Sequence, residues 1–446
     1  MQTIVNIFSS ISDLGKLVMM PIIITLIGLV LGAGFGKSFR GGLTVAVGLL
    51  GLDVATGLLG PLATAVGQMS ANLGLSLSTV DIGWPAAAAA AFATQVGSLI
   101  IPVCLLVNII MIVTQTTQTV DVDIWNYWHF AFTGSLITAV TGSLPLGLVA
   151  AVANEVIILV LGDVTAPALD RTLAMPGVSL PHGFSTAFAP IAMLCNWVIE
   201  KIPGLRDIDF NLEKLQEKIG VFGEPVIVGF VLGILIGLLG GQNFKTLIET
   251  AVYLAAAMVI IPKMAALLME GLMPISDAAS AFMDKHFQGK GKIYIGLDSA
   301  VGCGHPLTIA LALIFVPLSV LLAFILPGNT VLPAGDLGTF PFMFVLILPL
   351  CKGNGFRSLI TGIIVMVLGF YFSTALAEPT TLVCHGIQQY TEIASLSSIC
   401  DGANPLTWLL YTIGTISPAV GYIVFAALAV AFAVWNGIRI RKENNA

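Results

Sequence analysis

The sequence predicts an all-α polytopic membrane protein of about eleven transmembrane helices, built as two inverted repeats with broken helices and hairpins. Three observations predict it. Of 446 residues, 57% are apolar and only 9% are Asp, Glu, Lys or Arg, whereas a soluble domain carries about 25% charge. The apolar runs come in lengths near the roughly 20 residues that one bilayer crossing needs. The two halves of the chain also resemble each other, and that resemblance is offset by slightly more than 200 positions.

The first apolar stretch, residues 22–35, follows an almost uncharged start, so it reads as a retained helix and not as a cleavable signal. The net charge of −6 is spread over a few loops and forms no stripe that would hold nucleic acid. Six cysteines (Cys104, Cys195, Cys303, Cys351, Cys384, Cys400) include no CxxC pair, and no HExxH string occurs. Neither a disulfide framework, a metal site nor a cofactor is expected.

The repeat rests on four anchors in one order. GFGKSFRGGL at 34–43 matches LGGQNFKTLI at 239–248, with Phe39 and Phe244 separated by 205 positions. Trp84-Pro85 falls on His305-Pro306 at an offset of 221, and SLIT recurs at 135–138 and 358–361, an offset of 223 that also lays Glu155 on Glu378. Basic residues stay cytoplasmic near helix ends, and they cluster at 37–40, 201–218, 285–292 and 439–442. If the first helix runs inward, the second repeat starts the opposite way and the carboxyl tail ends inside. The expected organisation is a first repeat over 1–173, a connecting segment with a cytoplasmic loop over 174–219, a second repeat over 220–395, and a last helix with a basic tail over 396–446.

Transporters place solute sites at the midplane, where such repeats meet on interrupted helices. Non-helical backbone survives at that depth only when buried in protein or lining a wet cavity. Four interrupted strings stand out. TVDIGWPAAAAAAF carries Asp81 and Trp84 ahead of Pro85; a carboxylate beside a ring suits a polyol, whose hydroxyls donate while its C–H face packs on the ring. An interfacial Trp with a capping Asp fits the same string. IGLDSAVGCGHPLTIAL places Asp298 and His305 before a helix, with a loop histidine as the plainer reading. VDVDIWNYWHFAFTG spaces Asn126, His129 and Thr133 for one helical face, although Trp125, Tyr127 and Trp128 equally fit an aromatic belt. LPHGFSTAF sets His182 between Pro181 and Gly183, where a turn histidine also fits. Below these stand Asn329 and Asp336 in PGNTVLPAGDLGTFPF, and Glu155 and Glu378, ionisable groups in apolar surroundings. Glu224 reads as a structural helix-start carboxylate.

At these strings the chain resembles the galactitol family of enzyme IIC components, the membrane subunits of the bacterial phosphoenolpyruvate-dependent phosphotransferase system (PTS). VDIGWP, VDIWNYWH with FTG, LPHG, IEKIPG, FGEPVIVGFVLG, IGLD followed by GH, PGNTVLP with GDL, and PLTWLL carry the resemblance almost end to end. It implies a homodimeric, elevator-type carrier in the inner membrane that translocates a sugar alcohol and presents it for phosphorylation by a separate IIB protein. That partner is charged in turn by IIA and carries phosphate on its own cysteine, so no independent catalytic centre is expected here. His182, His305 or Asp298 would be placed to accept the hydroxyl proton. An ion-coupled secondary transporter is the nearest alternative, and an intramembrane enzyme is a more distant one, since GxSxG and paired-aspartate patterns are missing too.

Overall fold

The computed structural model describes residues 16–56, 58, 60–74, 77–121, 123–208, 224–287, 293–303, 305–387 and 390–444. Parts of two expected basic loops, 209–218 and 288–292, lie outside the described residues.

The first half runs α1 (Lys16–Val30), α2 (Phe35–Thr56), α3 (Gly60–Leu73), β1 (Thr79–Asp81), α4 (Trp84–Phe92), α5 (Gln95–Val113) and β2 (Thr119–Asp121). A 3-10 turn (Ile124–Asn126), α6 (Tyr127–Thr141), α7 (Leu144–Leu173), β3 (Val178–Ser179), α8 (Gly183–Ala187) and α9 (Ala189–Lys201) follow. The second half opens with α10 (Pro225–Leu239), α11 (Phe244–Phe287), β4 (Tyr294–Gly296), α12 (Ala300–Cys303), α13 (Pro306–Ile325) and β5 (Val331–Leu332). A second 3-10 turn (Leu337–Thr339), α14 (Phe340–Leu350), α15 (Gly355–Ala375), α16 (Ala377–Cys384), β6 (Leu396–Ser397), α17 (Ile399–Gly402), α18 (Pro405–Ile416) and α19 (Pro418–Asn444) complete it.

Proline at the first turn opens α4, α7, α9, α10, α13, α14 and α18, where its missing N–H costs no hydrogen bond. Polar caps set other starts: the Thr94 hydroxyl accepts from the Gly97 amide ahead of α5, and Asn354 accepts from Arg357 ahead of α15. Five described helices are long and apolar enough to span a bilayer: Gln95–Val113, Leu144–Leu173, Leu307–Ile325, Gly355–Ala375 and Pro418–Glu443. Shorter apolar helices such as Gly229–Leu239 and Leu337–Leu350 accompany them. Large apolar side chains point outward along these elements, among them Leu106, Ile110, Leu321, Ile423 and Val430. Asn, Asp, Thr and Ser are buried within. A polar interior under an apolar exterior is the arrangement of a protein whose solvent is lipid.

The interrupted strings pair as two small parallel sheets, in the orders β5-β1-β6 and β2-β4-β3. Each sheet takes its middle strand from one half of the chain and both edges from the other. Thr79 and Val80 pair with Val331 and Leu332, while Thr119, Val120 and Asp121 pair with Tyr294, Ile295 and Gly296. Pairing satisfies backbone groups that would otherwise be orphaned at membrane depth. Where β1 leaves its sheet, Gly83 has φ of 81° and lies so close to Gly335 that a side chain on either would strike backbone.

α2 and α11 pack in opposite directions, with Gly41 against Gly271 and Gly51 against Met264. At the far end, Asn72 at the end of α3 donates to the Leu239 carbonyl at 3.2 Å.

Candidate functional site

Six broken segments converge on one cavity. It is lined by Trp84, Trp125, Trp128, His129 and His182 from the first half, and by Asp298, Ala300, Thr339, Phe342 and Cys400 from the second. Its ends of short helices bring polar groups to a point that continuous helices would seal with side chains.

A buried relay crosses the floor. Asp401 of α17 faces His129 of α6, with 2.6 Å between Oδ2 and Nδ1. The Nε2 atoms of His129 and His182 are 3.4 Å apart, and the backbone amide of Ser185 donates to His182 Nδ1 at 3.3 Å. That last bond makes Nδ1 an acceptor, which assigns the His182 proton to Nε2. With Asp401 accepting from His129 Nδ1–H, His129 Nε2 is left as the acceptor that faces His182 and the cavity. Asn404 holds the carboxylate in place: its Nδ2 donates to Asp401 Oδ1 and to the Gly183 carbonyl, both at 3.0 Å. Its own Oδ1 caps α18 by accepting from Leu406 and Thr407 amides.

On the other wall, Asp298 Oδ1 is 3.7 Å from His182 Nε2. That separation is too long for a hydrogen bond and leaves room for a solute hydroxyl to bridge both groups. The Ala300 amide donates to the same carboxylate at 2.7 Å. Trp84 stands 6.1 Å from Trp125 and 6.5 Å from Trp128, centroid to centroid, and Trp128 leans on His129 at 4.0 Å. Carboxylate, two imidazoles and three indoles around one space suit a hydroxyl-rich molecule with C–H faces.

The sequence-chosen residues divide. Trp84, His129, His182 and Asp298 line the cavity. Thr133 lies behind it, 2.8 Å from the Thr407 hydroxyl and accepting from Asn154 at 2.8 Å. Asp81 and Asp336 lie away from the lining and hold backbone. Asp81 Oδ2 accepts from the Ala334 and Asp336 amides at 2.9 Å, and its Oδ1 from Gly83 and Ile399 at 3.2 and 3.3 Å. Asp336 accepts from the Trp84 amide at 2.6 Å, the Ser398 hydroxyl at 2.7 Å and the Cys400 amide at 2.9 Å. Asn329 bonds its own strand at the Val331 carbonyl and amide. His305 precedes α13 without capping it. Glu155 is fully buried, whereas Glu378 is exposed in the first turn of α16; the repeat offset that paired them does not give them equal environments. Asn126 is buried with neither polar atom bonded.

Asp401 and Asn404 escaped the sequence reading. A signal was there: CDGANP has an Asp and a Gly before a helix-opening Pro, as VDIGWP does.

His129, Cys400 and Asp401 place potential ligand atoms within 4.8 Å of one another. The 2.6 Å contact already joins one ring nitrogen of His129 to one carboxylate oxygen of Asp401, which is the geometry of an acid–base pair.

Residues 10–398 match the EIIC-GAT family, described as PTS system sugar-specific permease component. The chain belongs to the EIIC-GAT family. The "PTS system galactitol-specific EIIC component" of Escherichia coli (strain K12) is 37% identical over 433 residues, covering 96% of this chain and 95% of that protein. The "Putative permease IIC component" of the same organism is 36% identical over 429 residues, covering 95% of this chain and 98% of its own length. The expected PTS permease class is therefore right, and this EIIC-GAT chain is a membrane protein, as its outward apolar helices require. His129, His182 and Asp298 lie within the matched span, and Asp401 and Asn404 lie just beyond it.

Proposed function

We propose that this EIIC-GAT chain carries a galactitol-like sugar alcohol across a bacterial inner membrane and holds it for phosphorylation by a separate, phosphorylated IIB protein, itself recharged by IIA. The observation that carries the reading is the Asp401–His129–His182 relay ending opposite Asp298 in an indole-lined cavity. The galactitol-specific relative, similar over nearly its whole length, supports the polyol.

The solute's C–H faces pack on Trp84, Trp125 and Trp128, and its hydroxyls bridge His182 and Asp298. A hydroxyl that takes the place of His182 Nε2–H at His129 Nε2 donates its proton there. As the hydroxyl oxygen bonds to phosphorus, the bond from phosphorus to the IIB cysteine sulfur breaks and thiolate leaves. The proton passes to His129, and Asp401 stabilises the resulting imidazolium. Positioning of the hydroxyl for in-line attack is the rest of what phosphoryl transfer needs. Asp81 and Asp336 keep the broken segments together, and we assign the solute contacts to Trp84, Trp125, Trp128, His129, His182 and Asp298, with Asn126, Thr133 and His305 lying behind them.

Two inverted repeats underlie this site. Two helices separate β1 from β2 and β4 from β5, a 3-10 turn follows β2 and β5, and two short-to-medium helices follow β3 and β6. Three helices precede β1 against two before β4, however, and two separate β2 from β3 against three between β5 and β6. With the exchanged middle strands of the two sheets, this partial match supports a twofold relation. The antiparallel packing of α2 on α11 supports opposite membrane orientation. The repeats are taken over 1–173 and 220–395, joined by the segment 174–219 and followed by the last helix and basic tail over 396–446. About eleven crossings, a homodimer, an elevator-like motion and a cytoplasmic basic tail at Arg439, Arg441 and Lys442 complete the proposal.

Reconstituted vesicles test it with labelled galactitol, with and without phosphorylated partner proteins. Phosphorylated product inside that depends on the partners supports the reading. Accumulation of unmodified solute driven by an ion gradient overturns it in favour of a secondary transporter.

A further inference from the structure

Behind the cavity wall lies a group of buried oxygens that the proposed reaction does not use. Asp121 at the end of β2 is 2% exposed and Glu155 in the middle of α7 is 0% exposed. None of their four carboxylate oxygens has a hydrogen-bond partner. Asn126, in the 3-10 turn between β2 and α6, is fully buried with its amide oxygen and nitrogen both unbonded, and it faces Asp121. Asp121 and Glu155 are within electrostatic range of each other.

Among the described residues, the other groups facing this pair offer no positive charge. They are Cys104 from α5, Tyr127 of α6, Asp123 and Asp298. Tyr127 spends its hydroxyl on the Asp121 carbonyl at 3.1 Å. Asp163, lower on α7, shows by contrast what a settled buried carboxylate looks like here. It accepts from the hydroxyls of Thr117 and Thr119, the Gln118 amide and Asn436.

Without a well-formed hydrogen bond, these five oxygens have as neighbouring donors the Asn126 amide nitrogen, the Asp123 backbone amide and the Cys104 thiol, none of them charged. An ionised carboxylate in hydrocarbon surroundings without partner is strongly unfavourable, so this oxygen set calls for a positive guest. We propose that Asp121, Glu155 and Asn126 form a binding site for a monovalent cation, a proton or sodium, on the wall that carries Trp125 and His129. Asn126 lies next to Trp125 in the turn and one helical turn before His129, so a guest that orders Asn126 steadies the indole and imidazole of the cavity. The site is argued from its own residues and does not rest on the polyol assignment.

The full-length protein in lipid nanodiscs is the material for the test. Thermal unfolding is followed with sodium, potassium or choline as the sole cation, and in choline alone from pH 5.5 to 8.5, for wild type, Asp121→Asn, Glu155→Gln and Asn126→Ala. A sodium guest stabilises wild type over choline, and the gain disappears in both carboxylate variants. A proton guest leaves the cations equivalent, but the wild-type midpoint falls as pH rises more steeply than that of either carboxylate variant. Asn126→Ala retains both charges and shows the same response at reduced size. Should a carboxylate variant not fold, infrared titration of wild type reads the buried carboxylic acid directly, and sodium exchange reads the ion. Identical cation and pH responses in wild type and all variants, with no titrating buried acid and no sodium exchange, would falsify the site. Solute uptake is not its readout, so failure here and failure of the transport reading are separable.

Discussion

His129 Nδ1 and Asp401 Oδ2 lie 2.6 Å apart although 272 positions separate the two residues in the chain. The pair joins α6 to α17, so the same contact closes the tertiary structure and gives one imidazole a fixed proton position.

Asp401→Asn keeps the shape of the pair and removes the charge that stabilises a protonated His129. Partner-dependent phosphorylation is expected to fall by about 100-fold or more, while galactitol binding changes far less. Rapid-quench measurement of phosphorylated product beside equilibrium binding checks the split. Equal losses in both would assign Asp401 a binding or folding role instead.

Asp81 and Asp298 each sit at or just after a short strand and ahead of a helix, and they predict opposite phenotypes. Asp81→Asn exchanges two acceptor oxygens for one, among backbone donors from three segments, and is expected to destabilise the fold by about 1–3 kcal/mol per bond left unmade. Asp298→Asn keeps the unfolding midpoint and weakens solute binding by about 1–3 kcal/mol, roughly 10- to 100-fold. Thermal unfolding and calorimetric binding of the two purified variants distinguish them.

Gly183 starts α8 with its α-carbon against the His129 side chain; an added methyl would collide with Cβ of that residue and reach within 2.7 Å of its ring Cγ. Gly183→Ala should displace His129 and cost uptake severely without removing any titratable group. Gly177→Ala, whose added methyl meets nothing within 4 Å although its φ is 74°, is the control and should retain uptake with a small stability loss. Vesicle uptake at matched expression reads both.

Lys37 lies beside Glu270 and Asp277, and Lys245 starts the same helix α11 some 32 residues earlier. At 1.5 Å per residue that span is about 48 Å, more than a bilayer's hydrocarbon core. Single cysteines in place of Lys37 and Lys245 are expected to react with membrane-impermeant reagents from opposite faces. Labelling of both from one face removes the inverted-repeat reading.

Indole packing carries an optical consequence. Galactitol should shift the tryptophan emission of wild type, and Trp84→Phe, at the partly exposed edge of the aromatic wall, should reduce both the shift and the affinity.

The class of the protein was legible because a bilayer imposes its demand on composition one segment at a time: apolar runs, Pro starts and few charges are local properties. The residues on the interrupted strings were legible for the same reason, since Pro, Gly and Asp mark local breaks. Which Asp would hold backbone and which would line the cavity was not. Asp81 and Asp298 carry the same chemistry before similar breaks, and only the neighbours brought in from residues 334, 336 and 399 consume the first. Asp401 remained hidden because its role is defined by a histidine 272 positions away, and distance in the chain leaves no trace in local pattern. Sequence alone determined that helices would cross and where they would break; the crossing of the two halves decided which broken ends meet, because a binding site is a property of juxtaposed segments.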